Sequence, residues 1–131
     1  MERPTHLGLR HLALNVQAVE RMTAFYVDVM GFAVEWAPDP DNAYLTSGSD
    51  NLALHKAAGP LASGTGALDH LGVIVGEASH VDAWAAFLAS QGVALDMNPK
   101  THRDGARSCY FRDPEGNRIQ VIYHPPISGL L

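Results

Sequence analysis

The chain has very little cysteine. Cys109 is the single cysteine among 131 residues. One cysteine cannot form an internal disulfide, and it gives no support to a metal site built from thiolates. We therefore expect a cytoplasmic protein in which Cys109 behaves as a small, buried hydrophobic residue.

Positive charge is also scarce. Nine lysine and arginine residues stand against 14 aspartate and glutamate residues, which gives a formal net charge of −5. Nucleic acids and anionic membranes bind clustered basic side chains, and the sequence has no such cluster. It also lacks an apolar run long enough to cross a bilayer, and its first residues do not form a secretory signal. We expect a small-molecule partner, with no nucleic acid and no membrane.

The composition that remains is that of a globular protein, with 47% hydrophobic and 18% charged residues. This balance argues against disorder, and the length fits one domain over residues 1–131. We predict two modules within it, at about residues 7–57 and 68–124. Residues 58–67, which are rich in Gly, Ala and Ser, form the predicted linker.

The two modules begin with nearly the same sequence. LRHLALNV at residues 9–16 is echoed by LDHLGVIV at residues 68–75, so that His11 and His70 occupy matched positions. Each copy leads into a segment with helical spacing and then reaches a glycine, Gly31 or Gly92. Equivalent side chains of repeated modules can converge on one site, and imidazole is the commonest protein ligand of transition metals.

Hydrophobic spacing predicts the same order of elements in each module, one strand, one helix and three strands. In module one, Asn15 and Gln17 are the candidate helix starts, and Gly31 supplies the left-handed residue that ends the helix. In module two, Ser79 and Asp82 form a capping-box-like start. The predicted strands are residues 9–16, 32–36, 43–46, 51–55, 68–75, 93–97, 108–112 and 118–124, with loops at 38–42 and 98–106.

This arrangement resembles the vicinal oxygen chelate superfamily, which includes glyoxalase I, bleomycin-resistance proteins and extradiol dioxygenases. The resemblance rests on His11, His70, the segments at residues 24–26 and 31–32, and the turn DPEGN at residues 113–117. It implies an α+β fold in which two βαβββ modules form a curled mixed sheet around a cleft. It also implies a homodimer, often with sites built from modules of different subunits.

The resemblance further implies one divalent metal ion, with a histidine from each module's first strand and a glutamate from the last strand. His11 and His70 match the histidines, and Gln120 stands at the glutamate position. A lone strand histidine is usually structural, but two at matched positions favour ligands. A neutral amide is a weaker ligand than a carboxylate and cannot act as a base. Iron, manganese, zinc and nickel all remain candidates.

Five further residues are candidates for catalysis or substrate binding. His102 could carry a proton and Arg103 could pair with a substrate anion, although a solvated turn explains both. Tyr110 is a second catalytic candidate, and Tyr123 a substrate contact, although strand aromatics usually serve packing. His55 shares the face predicted for the metal ligands and is a candidate substrate contact. Trp36, Trp84 and Phe87 are assigned to the core or to a dimer contact.

Three functions are compatible with these residues. The first is a metal-dependent lyase or dioxygenase-like oxidoreductase that acts on a small oxygenated, possibly aromatic, substrate. The second is a metal-free protein that binds a small molecule, as bleomycin-resistance proteins do. The third is a metal-bound sensor without catalytic activity. Because both matched histidines are present, we favour the first.

Overall fold

The structure is a computed structural model that describes residues 1–3, 5, 7–62 and 68–130. Residues 63–67 of the predicted linker lie outside the described residues. The elements are β1 (His11–Val16), α1 (Val19–Ala24) with a π-helical continuation (Phe25–Val29), β2 (Ala33–Asp39), β3 (Asn42–Thr46), β4 (Asn51–Lys56), β5 (Leu71–Ile74), α2 (Ala78–Ser90), β6 (Leu95–Thr101), β7 (Arg107–Arg112), β8 (Arg118–Tyr123) and α3 (Pro125–Ser128).

The chain divides into two compact units, Met1–Leu61 and Ala62–Leu131. Each unit contains one four-stranded mixed sheet, with the order β1-β4-β3-β2 in module one and β5-β8-β7-β6 in module two. In both sheets the first strand pairs in parallel with the last, and the remaining pairs are antiparallel. The predicted α+β fold with two βαβββ modules is therefore confirmed.

Module one packs its helix against one face of its sheet. Met22 and Tyr26 are fully buried, and Phe32 and Phe25 lie beside the Tyr26 ring with centroids 5.6 and 5.4 Å away. The helical spacing of these apolar residues places them on one stripe. Gly31 has φ +80°, so it supplies the left-handed residue that the sequence predicts at the helix end.

Module two follows the same plan with α2. Val81 and Leu88 are fully buried on the helix, and Cys109 is fully buried on β7. Burial raises the pKa of the Cys109 thiol, because the thiolate would lose its hydration. The prediction that Cys109 is a small buried residue is confirmed. Trp36 and Phe87, in contrast, are 61% and 41% exposed, so they lie outside the core, and the alternative prediction of a dimer contact is untested.

Both helix starts differ from the predicted ones. The residue before α1 is Ala18, rather than Asn15 or Gln17, and the residue before α2 is Glu77. Neither makes a capping hydrogen bond through its side chain. Ser79 already lies inside α2, so the capping-box interpretation is wrong: a capping residue must be extended and precede the helix.

The strands β2 and β6 run through segments that the sequence predicts as loops. Pro38 and Pro99 lie within these strands, and both strands are at the edge of their sheet. A proline lacks the N–H that a central strand must donate, but an edge strand tolerates it. At the other ends, β1 and β5 begin later than predicted, at His11 and Leu71.

The turn at residues 113–117 fixes the entry to β8. Asp113 is 4% exposed, and its Oδ1 accepts hydrogen bonds from the backbone N–H groups of Glu115 and Asn117, both at 3.0 Å. Its Oδ2 accepts a third from Asn117 Nδ2 at 2.8 Å. The turn thus sets the start of the strand that carries Gln120. In the part of the chain that the structure describes, no helix has the length and apolarity to span a membrane.

Candidate functional site

The polar face of the module-two sheet carries several of the predicted site residues. Tyr110 on β7 pairs with Gln120 on β8, and Gln120 pairs with Gly72 on β5. Because side chains alternate along a strand, Arg118 shares the face of Gln120, and His70 shares the face of Gly72. The opposite face is the fully buried one that packs on α2. His70, Tyr110 and Gln120 therefore lie on one face.

The Gln120 side chain extends along this face toward β5. A Cβ built on Gly72 would lie 3.9 Å from Gln120 Oε1 and the same distance from Gln120 Cβ. Glycine at this position therefore keeps the space beside the amide oxygen open. Gln120 itself is partly buried, and its oxygen lies over the strand that follows His70.

Asp69 orients the His70 ring through a hydrogen bond to Nδ1. His70 Nδ1 lies 2.5 Å from Asp69 Oδ1, and this hydrogen bond is the main reason why the pKa of Asp69 is lowered. A carboxylate only accepts, so Nδ1 donates, and in the neutral ring Nε2 keeps its lone pair. The ring also packs edge-on against Tyr110, with centroids 5.3 Å apart and planes at 86°. Nε2 is thus available to a ligand.

His11 in module one has a similar support. Asn51 Nδ2 donates to Glu35 Oε2 at 3.0 Å, which turns the amide oxygen of Asn51 toward the histidine. His11 Nδ1 lies 2.8 Å from that oxygen. Because an amide oxygen only accepts, His11 donates through Nδ1, and Nε2 again keeps its lone pair.

His55 repeats this arrangement at the other end of the same face. Its Nδ1 donates to Asn42 Oδ1 at 2.6 Å, and Asn42 Nδ2 donates to both oxygens of Asp39. His11 pairs with Asn51 across the parallel strands, four residues before His55 on β4. Four residues of strand span about 13 Å, so one metal ion cannot bind both histidines. His55 remains a predicted substrate contact.

An aromatic pair lies beside His55. The Trp36 and Tyr44 rings stack with centroids 5.2 Å apart and planes at 21°, and the Tyr44 ring is 5.7 Å from the His55 ring. Tyr44 pairs with Ala53 in the register that joins Tyr110 to Gln120 in module two. Ala53 therefore stands at the position matched to Gln120, and module one offers no ligand there.

The remaining predicted residues lie apart from these groups. His102 sits in the hairpin between β6 and β7, where its Nε2 is 2.9 Å from Oγ of the fully buried Ser108. Arg103 is exposed in the same turn. Tyr123 has the strand parity of the buried Ile119 and Val121, so it lies on the opposite face from Gln120. The structure does not bring these three residues together with His70.

The available donors fit a divalent cation in their chemistry. Two imidazole nitrogens with free lone pairs and one amide oxygen suit borderline metals such as zinc, iron or nickel better than calcium or magnesium. Among the described residues, no group of three or more His, Cys, Asp or Glu side chains is placed to hold a metal. The metal ligands therefore stay a prediction.

Sequence comparison identifies the family. The family model of the glyoxalase/bleomycin resistance protein/dioxygenase superfamily matches residues 8–121, which is most of the chain. The chain belongs to this superfamily. Its members share the paired-module fold described above, and the resemblance noted in the sequence is confirmed. No curated protein matches the chain.

Several solved structures share the fold at low sequence identity. A lactoylglutathione lyase from Agrobacterium tumefaciens is 21% identical with a TM-score of 0.77, covering 92% of this chain and 96% of that one. An integron cassette protein from the Halifax Harbour sewage metagenome is 24% identical with a TM-score of 0.78, covering 91% and 100%. A glyoxalase-related enzyme from Fulvimarina pelagi is 18% identical with a TM-score of 0.74, covering 92% and 90%. These likenesses show the fold.

Sequence reasoning missed the residues that support the histidines. Asp69 directly precedes His70, and this adjacency was a usable signal. Glu35 and Asn51 give no such signal, because they are 16 residues apart and meet only through strand pairing. Arg118 was also missed, although its spacing of two residues from Gln120 places both on one face.

Proposed function

We propose that this chain is a metal-dependent enzyme of the superfamily, with a small oxygenated substrate that chelates a divalent cation through two neighbouring oxygens. The proposed metal ligands are His70 and Gln120 of module two and His11 of module one. The proposed reaction class is that of a lyase or a dioxygenase. We further propose a homodimer, as the family resemblance implies.

The observation that carries the proposal is the common state of the two matched histidines. Asp69 and the Asn51–Glu35 pair each accept a hydrogen bond from Nδ1, so both rings are oriented with Nε2 as the free lone pair. Metal-binding histidines characteristically donate their other ring nitrogen to a carboxylate or carbonyl oxygen in this way.

The protein residues supply binding and orientation. A divalent cation bound here would act as a Lewis acid and stabilise negative charge that develops on the two substrate oxygens. Gln120 cannot accept a proton as a carboxylate would, so a proton acceptor must come from elsewhere. We propose Tyr110, which contacts His70 directly, for proton transfer, and His55 for a contact with the substrate. His102, Arg103 and Tyr123 lie apart from His70, so the roles predicted for them from the sequence are not part of this proposal.

One observation favours a second function, a metal-free protein that binds aromatic molecules. The stacked Trp36 and Tyr44 rings lie on the polar face of module one, with Trp36 61% exposed. Large exposed aromatic surface often marks a binding site for small molecules or proteins. Ala53 at the position matched to Gln120 also reduces the number of metal donors. Metal content separates the two functions.

The experiment is metal analysis of the purified chain and of His70→Ala. The wild-type protein is stripped with a chelator, titrated with Zn²⁺, Mn²⁺, Ni²⁺ and anaerobic Fe²⁺, and followed by calorimetry. We expect one ion per chain in the wild type. His70→Ala should lose this stoichiometric binding while its circular dichroism stays native.

His80→Ala is the matched control, because His80 is an exposed histidine on α2 whose nearest acidic partner, Glu77, is 3.8 Å away. It should bind metal as the wild type does. Full occupancy in His70→Ala, or no stoichiometric binding of any of these metals to the wild type, would contradict the proposed ligands. A metal-free wild type that still binds aromatic compounds would establish the second function.

A further inference from the structure

We propose that Arg118 binds a carboxylate of the substrate, so that the natural substrate is a small chelating acid. The inference rests on the proposed function, since it concerns the same face of module two. Arg103 is the charged residue that the sequence predicts as a substrate contact, but it lies apart from His70, whereas Arg118 lies beside the proposed ligands of module two.

Arg118 occupies a fixed place beside the proposed ligands. It lies two residues before Gln120 on β8 and shares its face, while Leu71 pairs with Ile119 on the neighbouring strand. The parallel register therefore places His70 next to Arg118 on this face. A group that reaches both His70 and Gln120 lies within reach of the long Arg118 side chain.

The Tyr110 ring fixes the orientation of the Arg118 guanidinium, and this contact uses neither Nη nitrogen as a hydrogen-bond donor. Its central carbon lies 3.9 Å from the centroid of the Tyr110 ring, a cation–π contact that fixes its plane. Nε is buried and has no hydrogen-bond partner among the described residues, yet the side chain is 34% exposed. No hydrogen bond of the described chain uses either Nη nitrogen. The Nη end is thus an oriented pair of free donors.

The neighbouring Arg112 differs from Arg118, because its guanidinium is paired with acceptors of the protein. Arg112 pairs across the strands with Arg118, and its Nε lies 2.8 Å from Asp96 Oδ2. It also donates to the Gly116 carbonyl oxygen at 2.9 Å. Arg118 Nε is 3.8 Å from the same Asp96 oxygen, beyond hydrogen-bond distance. Asp96 therefore accepts a hydrogen bond from Arg112, and it accepts none from Arg118.

The chemistry of the ligand follows from the donors. A planar guanidinium matches the geometry of a carboxylate, with two parallel N–H···O bonds. Net charge does not explain the preference for a carboxylate, because the two acidic residues Asp69 and Asp96 balance the two basic residues Arg112 and Arg118. The preference follows from the orientation of the Arg118 N–H donors. All three proposed metal ligands are neutral, so an anionic chelating substrate would also supply the negative charge that a bound cation lacks.

The test compares three chelators that differ in one group. The probes are 2,3-dihydroxybenzoate, its methyl ester and catechol, titrated by calorimetry into the zinc-loaded chain. We expect the acid to bind the wild type at least about tenfold more tightly than the ester, as for charge-assisted hydrogen bonds. In Arg118→Gln the ratio should fall to about one, with catechol affinity and zinc stoichiometry unchanged. Arg118→Lys, which keeps the charge but not the fork, should give an intermediate ratio.

Arg21→Gln is the control, because it makes the same chemical change and the same change in net charge at an exposed position on α1. It should keep the wild-type ratio. Equal binding of acid and ester by the wild type, an unchanged ratio in Arg118→Gln, or no binding of the acid at all would overturn the inference. If the wild type binds no metal, the same titrations are made on the metal-free chain. If the metal-free chain prefers the acid and this preference depends on Arg118, the proposed carboxylate site is supported and the proposed metal-dependent function is contradicted.

Discussion

Three histidines on the sheet faces are held in one protonation pattern by their neighbours. His11, His55 and His70 each donate Nδ1–H to a side-chain oxygen, which belongs to an amide in two cases and to a carboxylate in the third. The choice of ring nitrogen decides which one can bind a ligand. The duplicated sequence therefore repeats a histidine together with the direction of its free lone pair, although the supporting residues differ.

Gln120, a proposed metal ligand, offers a neutral amide, which is a weaker donor than a carboxylate. Replacing Gln120 with Glu restores a charged ligand at nearly the same size, so we expect divalent metal to bind roughly tenfold more tightly or better. Calorimetric titration of stripped protein measures this change. Gln91→Glu makes the same substitution at an exposed residue and should leave the affinity unaltered. Unchanged or weaker binding by Gln120→Glu would mean that the side chain is not a ligand.

The support of His70 by Asp69 gives a second prediction at this scale. Asp69→Ala removes the acceptor that orients the ring, and such changes typically lower metal affinity by about 10–100-fold. Because the Asp69 side chain is 83% exposed, we expect the lower end of that range. Glu77→Ala, which removes the partner of the non-ligand His80, is the control. Equal affinities in both variants would show that the ring needs no such support.

The residue types of the site could be predicted, but only part of its contacts. The repeat identifies His11 and His70 as matched residues, and the family resemblance implies Gln120 as the third. The partners of His11 depend on the register between three strands, which no local pattern encodes. The sequence does not distinguish Arg118 from an ordinary surface arginine at the start of a strand. Its proposed role becomes visible only from the contact of its guanidinium with the Tyr110 ring.

At the level of elements, an ion pair joins α2 to β7, an inner strand of its sheet. Arg107 on β7 donates to both carboxylate oxygens of Asp82, at 2.6 and 2.9 Å, and also to Thr101 Oγ1 at 3.0 Å. The hydrogen bond from Arg107 holds the pKa of Asp82 below its ordinary value. The pair therefore stabilises the folded state where Asp82 is ionised.

The pair should make part of the stability dependent on pH. A carboxyl whose pKa is lowered by folding stabilises the protein above its unfolded pKa and loses that effect as the pH falls through its folded pKa. Asp82→Asn should accordingly lower the melting temperature at about pH 7, and this deficit should shrink as the pH falls through the lowered pKa of Asp82. Thermal unfolding by circular dichroism measures this. Asp28→Asn, at an exposed position on the first helix, should show no such dependence, and a constant deficit of Asp82→Asn across the range would contradict the assignment.

The interiors of the elements were predictable and their ends were not. Period-two alternation and the apolar helix stripes identify all eight strands and both longer helices, because burial of one face is encoded locally. Pro38 and Pro99 favour a loop prediction, but both lie in edge strands, which tolerate proline because they pair on one side only. The helix starts were wrong because neither helix uses a side-chain cap, the one local signal that marks such a start.

At the level of the whole chain, the fold is shared widely and does not determine the reaction. The two modules differ at the row of residues that crosses each polar face. Module one has Trp36, Tyr44 and Ala53 in that row, and module two has Tyr110 and Gln120 at the matched places. Both modules thus have a polar face, but the face of module one carries an aromatic pair and that of module two carries an amide beside an arginine.

The central claim is that His11, His70 and Gln120 bind one divalent cation. Its most direct test is anomalous diffraction from crystals grown with Zn²⁺ and measured on both sides of the zinc absorption edge. The account predicts one strong peak per chain, at about 2.0–2.2 Å from Nε2 of both histidines and Oε1 of the glutamine. Zinc bound only through other side chains, or no peak while Nε2 of His70 hydrogen-bonds to protein, would contradict it.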